Sequence, residues 1–418
     1  MPEPQVNWAG NVVYAPTSVV APRSVEELQE LVASSSRIRA LGTRHSFSTV
    51  ADAPGVLVEL GALPSSIELD EVAATVRVGA ATRWGELAPV LHRAGWAVHT
   101  MGSLPHISVA GSASTGTHGS GDRHGCLASA VVALELVGPD GGLRRIARGD
   151  ADFDGSVVAL GALGVVTAVT LSVQPAYEVE QTVYDDLPFE VAVEELDAVM
   201  GSASSVSLFT RWRDDVEQVW VKRRTDEPAA DLRWTGARPA DGPRHPVPGA
   251  DPAACTPQGG VPGPWFERVP HFRLEFTPSS GEELQSEYLV DREHARDALR
   301  AVHEVRDAVA PVLQIGEVRS VAADDLWLSM ASGRDSLAIH FTWVADAEAV
   351  APAVAAVERA LAPFAPRPHW GKVFGIDPRE VASTYPRFAE MVDLVHRTDP
   401  DGVLANDFVT RHLREVGD

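Results

Sequence analysis

Four polar side chains on two apolar segments are the first candidates for chemistry. Glu317 and Arg319 stand two residues apart in Val312-Leu313-Gln314-Ile315-Gly316-Glu317-Val318-Arg319-Ser320, and His340 and Thr342 do so in Leu337-Ala338-Ile339-His340-Phe341-Thr342-Trp343. A strand turns alternate side chains to one face, so each pair projects together. Two neighbouring strands would present an acceptor, a forked donor, an imidazole and a hydroxyl to one cavity. The plainer reading of Glu317 with Arg319 is a solvated ion pair worth under ~1 kcal/mol. Polar groups set among apolar neighbours on both segments weigh against it.

His45 is the next candidate, at the tip of a loop that leaves the strand-like run Ile38–Leu41 through Gly42. Glycine there allows close ligand approach that a Cβ would obstruct. By residue type alone His45 is a cofactor attachment point, a metal ligand or a plain loop histidine. Further on, GSLPHISVAGSASTGTHGSGDRHG, residues 102–125, holds six glycines, five serines, two threonines and three histidines. Such a run is a flexible loop by composition, yet Pro105, Ile107 and Val109 are more than a linker needs. Exposed amides beside glycine, interleaved with hydroxyls, make a cradle for a pyrophosphate. No Gly-Lys-Ser/Thr follows it, and no G-x-G-x-x-G sits there between strand and helix, so neither nucleotide fingerprint applies.

The elements that must position these residues read as α+β. Ser24-Val25-Glu26-Glu27 has capping-box form, with Leu28, Leu31 and Val32 continuing at helical spacing. Strands are predicted near 55–60 and 74–78, a helix over 84–94, and a hairpin around Pro139-Asp140-Gly141-Gly142. Leu160-Gly161-Ala162-Leu163-Gly164-Val165-Val166 leads a strongly apolar strand, its glycines suiting close approach to something flat. Past Gln174-Pro175 the character changes, placing a domain boundary there. Strands follow near 206–213 and 218–224, and a helix is predicted from Asp291 to Val309. Between them residues 225–270 carry ten prolines. That much irregular chain is uncommon unless functional or disordered, and Trp265 with Phe266 argues for packing. Arg367-Pro368-His369-Trp370-Gly371-Lys372-Val373-Phe374 precedes the closing helical segment.

Bulk properties exclude several classes. Length (418 residues) suits two domains, and a formal charge of −23 disfavours nucleic acid or an anionic membrane as partner. No targeting segment or membrane-length apolar run is found, so a cytoplasmic protein is expected. Cys126 and Cys255 are too few for a disulfide scaffold and are expected as free thiols. The histidines lack metal-ligand spacing, and no metal is expected.

Gly42-x-x-His45-Ser46-Phe47, the Gly/Ser/Thr/His run, Leu160–Val166, Trp370-Gly371-Lys372 and Asn406-Asp407-Phe408 together form an order that resembles the vanillyl-alcohol oxidase flavoproteins. SLPHISVAGSASTGTHGSG, VPGPWFERVPHFRLEFTPSSG and RPHWGKVF are specific within it. Over nearly the full chain the likeness is to the actinobacterial alditol oxidases. It implies an FAD-binding domain of residues 1–176 with 373–418, and an α+β cap of residues 177–372. It implies FAD attached covalently through His45. The implied FAD contacts are Ala40, Leu41, Gly42, Thr43, Arg44, Ser46, Ser103, Ser108, Gly111, Thr115, Gly116, Thr117, His118, Val166 and His369. Substrate contacts fall on Ser103, Glu317, Arg319 and Thr342, with Arg319, Lys372 and His340 as catalytic groups. Gly102, lacking a side chain, is expected to leave oxygen a path to the flavin. The implied reaction oxidises a polyol and reduces dioxygen to hydrogen peroxide, in a monomer. An aldonolactone oxidase of the same superfamily is the alternative.

Overall fold

Ser24 starts the first helix, Val25–Ser34, by accepting the Glu27 amide, while the Glu27 carboxylate reaches back to the Arg23 amide. This is the predicted capping box displaced by one residue at its return bond. The computed structural model describes residues 5–276 and 282–416. On the helix's inner face Leu28 and Val32 are buried with Ile38 and Val58. That packing lays the strand Ile38–Leu41 parallel to Val56–Glu59, whose other edge takes Ser18–Val20. The loop carrying His45 therefore leaves the carboxyl end of a parallel strand, where open sheets present ligand-binding loops.

A five-stranded antiparallel sheet accompanies it, in the order Ile67–Asp70, Thr75–Gly79, Val165–Ser172, Val131–Val137, Leu143–Ala147. Its predicted hairpin places Val137 opposite Leu143, with Gly141 at φ 76° in the turn. The Gly/Ser/Thr/His run is less irregular than its composition suggests. Val109–Ser114 forms a short helix because Val109, Ala110 and Ala113 are buried beneath it.

Among the described residues the second domain is built on nine antiparallel strands. Its main path runs Arg238–Pro239, Glu178–Pro188, Asp215–Arg224, Ser205–Thr210, Leu313–Val321, Ser336–Trp343, Leu284–Asp291 and Arg367–Pro368, with Gly263–Pro264 pairing Glu178–Pro188 off that path. One face buries Leu208, Val219, Val318, Ile339 and Phe341 in the apolar cluster that also contains Leu299, Val302 and Val357 of the covering helices. The predicted helix from Asp291 needs correction. Asp291 ends a strand, Leu284–Asp291, and its side chain accepts the Glu293 amide to start a short turn. The helices proper are Ala295–Glu304 and Arg306–Val309. Pairing of residues 284–291 along the whole of Ser336–Trp343 keeps Asp291 in the strand, so the helix starts four residues later than predicted.

The C-terminal residues return to the first domain. Arg39, fully desolvated, donates to the carbonyls of Val50, Leu160, Gly161 and Leu404. Asn406 caps Asp407–Val409 through Oδ1 and gives Nδ2 to the carbonyls of Thr49, Val50 and Asp52. Cys126 and Cys255 are free and buried, and no helix among the described residues is long and apolar enough to cross a membrane. Replacing Asn406 by Ala removes a cap and leaves buried carbonyls unpaired, an expected loss of about 2 kcal/mol. The thermal midpoint of the FAD-loaded protein measures it, and an unchanged midpoint would show that the tail is held elsewhere.

Candidate active site

Period-two alternation brings the sequence-predicted pairs together. Leu313–Val321 and Ser336–Trp343 are antiparallel neighbours with Glu317 opposite His340 and Ile315 opposite Thr342. Glu317, Arg319, His340 and Thr342 are all buried and share the sheet face away from the helices. They line a cavity of about 510 Å³, a volume ordinary for a ligand pocket. The same cavity is lined by the loop Gly42–Phe47 and by Ser103, Ser108, Gly111, Thr115, Thr117 and His118. Ala40, Leu41, Val166, His369 and Lys372 complete the predicted set on this cavity.

Two predicted residues fall elsewhere. Gly116 does not line the cavity. It sits at φ 68° just past the Val109–Ser114 helix, a conformation glycine adopts without strain, and a Cβ would meet Met330 Sδ at 3.2 Å. Gly102 is also absent from the lining. A Cβ there would make ordinary contact with Thr117 and Leu127.

The Trp-Gly-Lys motif meets the His45 loop directly. Phe47 N–H donates to Gly371 O at 2.7 Å and Ser48 Oγ to Trp370 O at 2.7 Å. Trp370 is buried and gives Nε1–H to Leu328 O. Along the sheet edge, Val373 N–H bonds Gln285 O and His369 N–H bonds Glu287 O. Lys372 is thereby aimed at the cavity floor.

The residue that organises that floor, Glu287, escapes sequence reasoning. It lies opposite His340 on the strand Leu284–Asp291, a segment in which the sequence predicts no element before Asp291. Its carboxylate, 1% exposed, takes Arg319 Nη2 on Oε1 and Lys372 Nζ at 2.9 Å on Oε2, with His118 Nε2 at 3.4 Å. Burial alone would raise its pKa, but Lys372 and Arg319 outweigh burial and hold it well below the usual carboxylate range. Glu317 is also driven low: burial opposes ionisation, and Arg319 and His271 overcome it. Burial, joined by the Lys372 charge, pushes His340 down to about 3, so it is neutral at ordinary pH. His271 and Lys222 were missed as well. His271 Nε2 is 2.8 Å from Glu317 Oε1, and Lys222 Nζ is 2.8 Å from His271 Nδ1. Lys222 is one of several charges in the mixed strand Asp215–Arg224, and His271 directly follows the proline-rich excursion, so neither carries a local signal.

The upper wall suits a dinucleotide. Carbonyls of Arg44 and Ser46 are tied outward to Trp8 N–H and Asn7 Nδ2. The amides of Thr43, Arg44, His45 and Ser46 make no hydrogen bond to another described residue. Gly42 and Gly111 keep the approach narrow-walled, since a Cβ on either would press Ser108 Oγ at 3.3 and 2.8 Å. His45 stacks on Trp8, and its Nδ1 is buried without a partner. Burial, with His106 nearby, pushes its pKa down to about 4, leaving a neutral ring nitrogen.

Residues 16–147 match the FAD binding domain family, and residues 281–412 match the D-arabinono-1,4-lactone oxidase family. The chain is 52% identical over 407 residues to an alditol oxidase of Streptomyces sp., spanning 96% of this chain and 97% of that one. The chain belongs to the alditol oxidase family. It is thus an FAD-binding oxidoreductase of the vanillyl-alcohol oxidase type. More distantly it is 28% identical to an L-gulono-1,4-lactone dehydrogenase of Mycobacterium tuberculosis, over 97% of this chain and 98% of the other. Among solved structures a cholesterol oxidase from Brevibacterium sterolicum shares the fold, with TM-score 0.78 at 13% identity over 99% of this chain and 97% of that one.

Glu287→Gln strands two buried cations and is expected to cost about 3–5 kcal/mol at pH 7. Because the folded pKa of Glu287 is depressed, its stabilisation is complete above the unfolded value near ~4.3 and is lost as pH falls toward the folded one. The gap in thermal midpoint between wild type and Glu287→Gln should therefore narrow only below about pH 4. A gap already closing at pH 6 would show that Glu287 is not the shared counter-ion.

Proposed function

We propose that this protein holds FAD covalently through His45 and oxidises the terminal primary alcohol of polyols such as xylitol, sorbitol or glycerol to the aldose. The proposal takes residues 1–176 with 373–418 as the FAD-binding domain and 177–372 as the cap, acting as a cytoplasmic monomer. When bound, the flavin supplies a two-electron acceptor that dioxygen reoxidises with release of hydrogen peroxide. The observation that carries the reading is a charge-balanced polar floor, Glu317, Arg319, Glu287 and Lys372, facing the His45 loop across one cavity.

A polyol is a neutral chain of hydroxyls, and these side chains are suited to it. Glu317 accepts, Arg319 donates, and Ser103, whose Oγ lies 3.4 Å from Arg319 Nη1, and Thr342 do either. Charge developing on the carbinol oxygen meets Lys372 and Arg319, both fixed by Glu287 before substrate arrives. The hydroxyl proton passes to His340, whose Nδ1 is buried and unpartnered. Its low basicity suffices, because the hydroxyl grows acidic as the carbinol hydrogen leaves as hydride. Lys372 keeps its own proton, paired with Glu287. His45, neutral with a free nitrogen, is suited to bond formation at the flavin methyl carbon. Covalent attachment would raise the flavin potential, each ~30 mV adding about 1.4 kcal/mol of driving force.

The lactone oxidase match over residues 281–412 includes the whole polar floor, so an aldonolactone is the second reading. Peroxide release on xylitol, sorbitol and glycerol beside a gulonolactone separates them. Turnover of polyols is expected, and turnover of the lactone alone would defeat the polyol assignment. Intact mass should show protein plus FAD, and His45→Ala should carry only flavin that acid precipitation releases. Flavin retained in the acid precipitate of His45→Ala would place the bond elsewhere.

A further inference from the structure

Glu317 reads the substrate in the function proposed above, yet it does not stand alone in the wall. Lys222 lies on the neighbouring strand Asp215–Arg224, 1% exposed, and its ammonium meets three acceptors: Val269 O at 2.5 Å, Pro270 O at 3.1 Å and His271 Nδ1 at 2.8 Å. Burial pushes Lys222 down to about 7, yet two carbonyls and an imidazole nitrogen within 3.1 Å match the three donors of the ammonium, so His271 Nδ1 accepts. In the neutral ring the proton then sits on Nε2, which points at Glu317 Oε1 from 2.8 Å. Three aromatic rings, Phe209, Trp220 and Phe272, pack around the imidazole with centroids 5.5, 5.2 and 6.4 Å away. Burial, joined by the Lys222 charge, pushes His271 down to about 4, consistent with a neutral ring. The His271 and Phe272 amides both donate to Ser103 O, at 3.1 and 3.2 Å, tying this segment to a second residue of the cavity wall.

We propose that Lys222 and His271 are positioning residues: Lys222 fixes the Nε2–H tautomer of His271, which occupies Glu317 Oε1 and leaves Oε2 as the one carboxylate oxygen offered to a substrate hydroxyl. Arg319 stands on the same Oε1 side, its Nε 3.6 Å away. Glu317 is thereby held ionised and oriented, an acceptor that selects hydroxyl donors. The inference rests on the polyol reading only for the identity of the ligand; the tautomer relay belongs to the chain itself.

Long-range ¹H–¹⁵N NMR of the FAD-loaded protein reads that relay without turnover. Wild type should show His271 as the Nε2–H tautomer, and Lys222→Met should lose it; an Nδ1–H or doubly protonated ring in wild type overturns the inference whatever the substrate. Kinetics on xylitol supply the second arm. His271→Leu should raise KM on the order of tenfold or more, with kcat changed by less than about threefold, as expected for losing a hydrogen bond to a charged group. His271→Gln, which returns an N–H donor, should recover most of that KM. In a Glu317→Gln background, His271→Leu should add less than about twofold, because the two act as one unit. Equal added cost in both backgrounds would reduce His271 to a packing residue and overturn the inference. Failure of wild type itself on xylitol would instead count against the polyol reading, leaving the tautomer result to judge the relay.

Discussion

One buried carboxylate organises the cavity floor. Glu287 gives separate oxygens to Arg319 and Lys372, cations delivered by different parts of the chain, and His118 of the first domain approaches it as well. Removing such charges from water costs several kcal/mol each, which only close pairing offsets. The pairing therefore constrains where the sheet, the Trp-Gly-Lys turn and the Gly/Ser/Thr/His run can sit relative to one another. That acceptor adds charge pairing to apolar contact between the two parts, since Leu289, Val321 and Ala338 of the cap share one buried cluster with Leu127, Val131 and Leu160.

The turn that supplies Lys372 is in turn fixed by the His45 loop. Phe47 N–H and Ser48 Oγ hold the carbonyls of Gly371 and Trp370, and a Cβ on Gly371 would press Ser46 Oγ at 3.2 Å. Any shift of the loop that carries His45 would move the ammonium at the floor. Arg39, on the strand leading into the loop, and Asn406 secure the other side by satisfying buried carbonyls from three separate segments. The His45 loop and the polar floor are thus tied together, although 327 positions separate His45 from Lys372 in sequence.

What was legible in the sequence followed from local period and composition. Alternation in Ile315–Arg319 and Ile339–Trp343 identified four floor residues correctly because each strand carries its polar groups among apolar neighbours. The Gly/Ser/Thr/His run was recognisable as a cradle, but not its helix, since small buried residues give no periodic signal. Glu287 was invisible for a different reason. In Leu284-Gln285-Ser286-Glu287-Tyr288 polar residues fall on both faces, so nothing local distinguishes the one that meets Arg319 from one that meets water. Only the non-local register, Glu287 opposite His340, does so. Lys222 and His271 failed likewise, the first as one polar residue in a mixed strand, the second at the end of a proline-rich excursion. That excursion now has a physical purpose: it carries His271 back to the carboxylate that its own domain's sheet presents.

Charge balance explains why such a floor suits a neutral ligand. Glu287 and Glu317 offset Arg319 and Lys372 within hydrogen-bond or near-contact distance, with Lys222 set behind His271 outside the lining. These four floor side chains therefore carry strong local dipoles and no net charge among themselves. An anionic or cationic substrate would leave one of these pairs uncompensated at low dielectric, a cost no additional hydrogen bond repays easily. A chain of hydroxyls, each both donor and acceptor, can satisfy every group without disturbing a pair. Under the proposed reaction the balance changes only at the transition state, when oxygen gains charge beside Lys372 and Arg319. The cations are then already paired and placed, so stabilisation is available without reorganisation, the condition under which electrostatic catalysis is strongest.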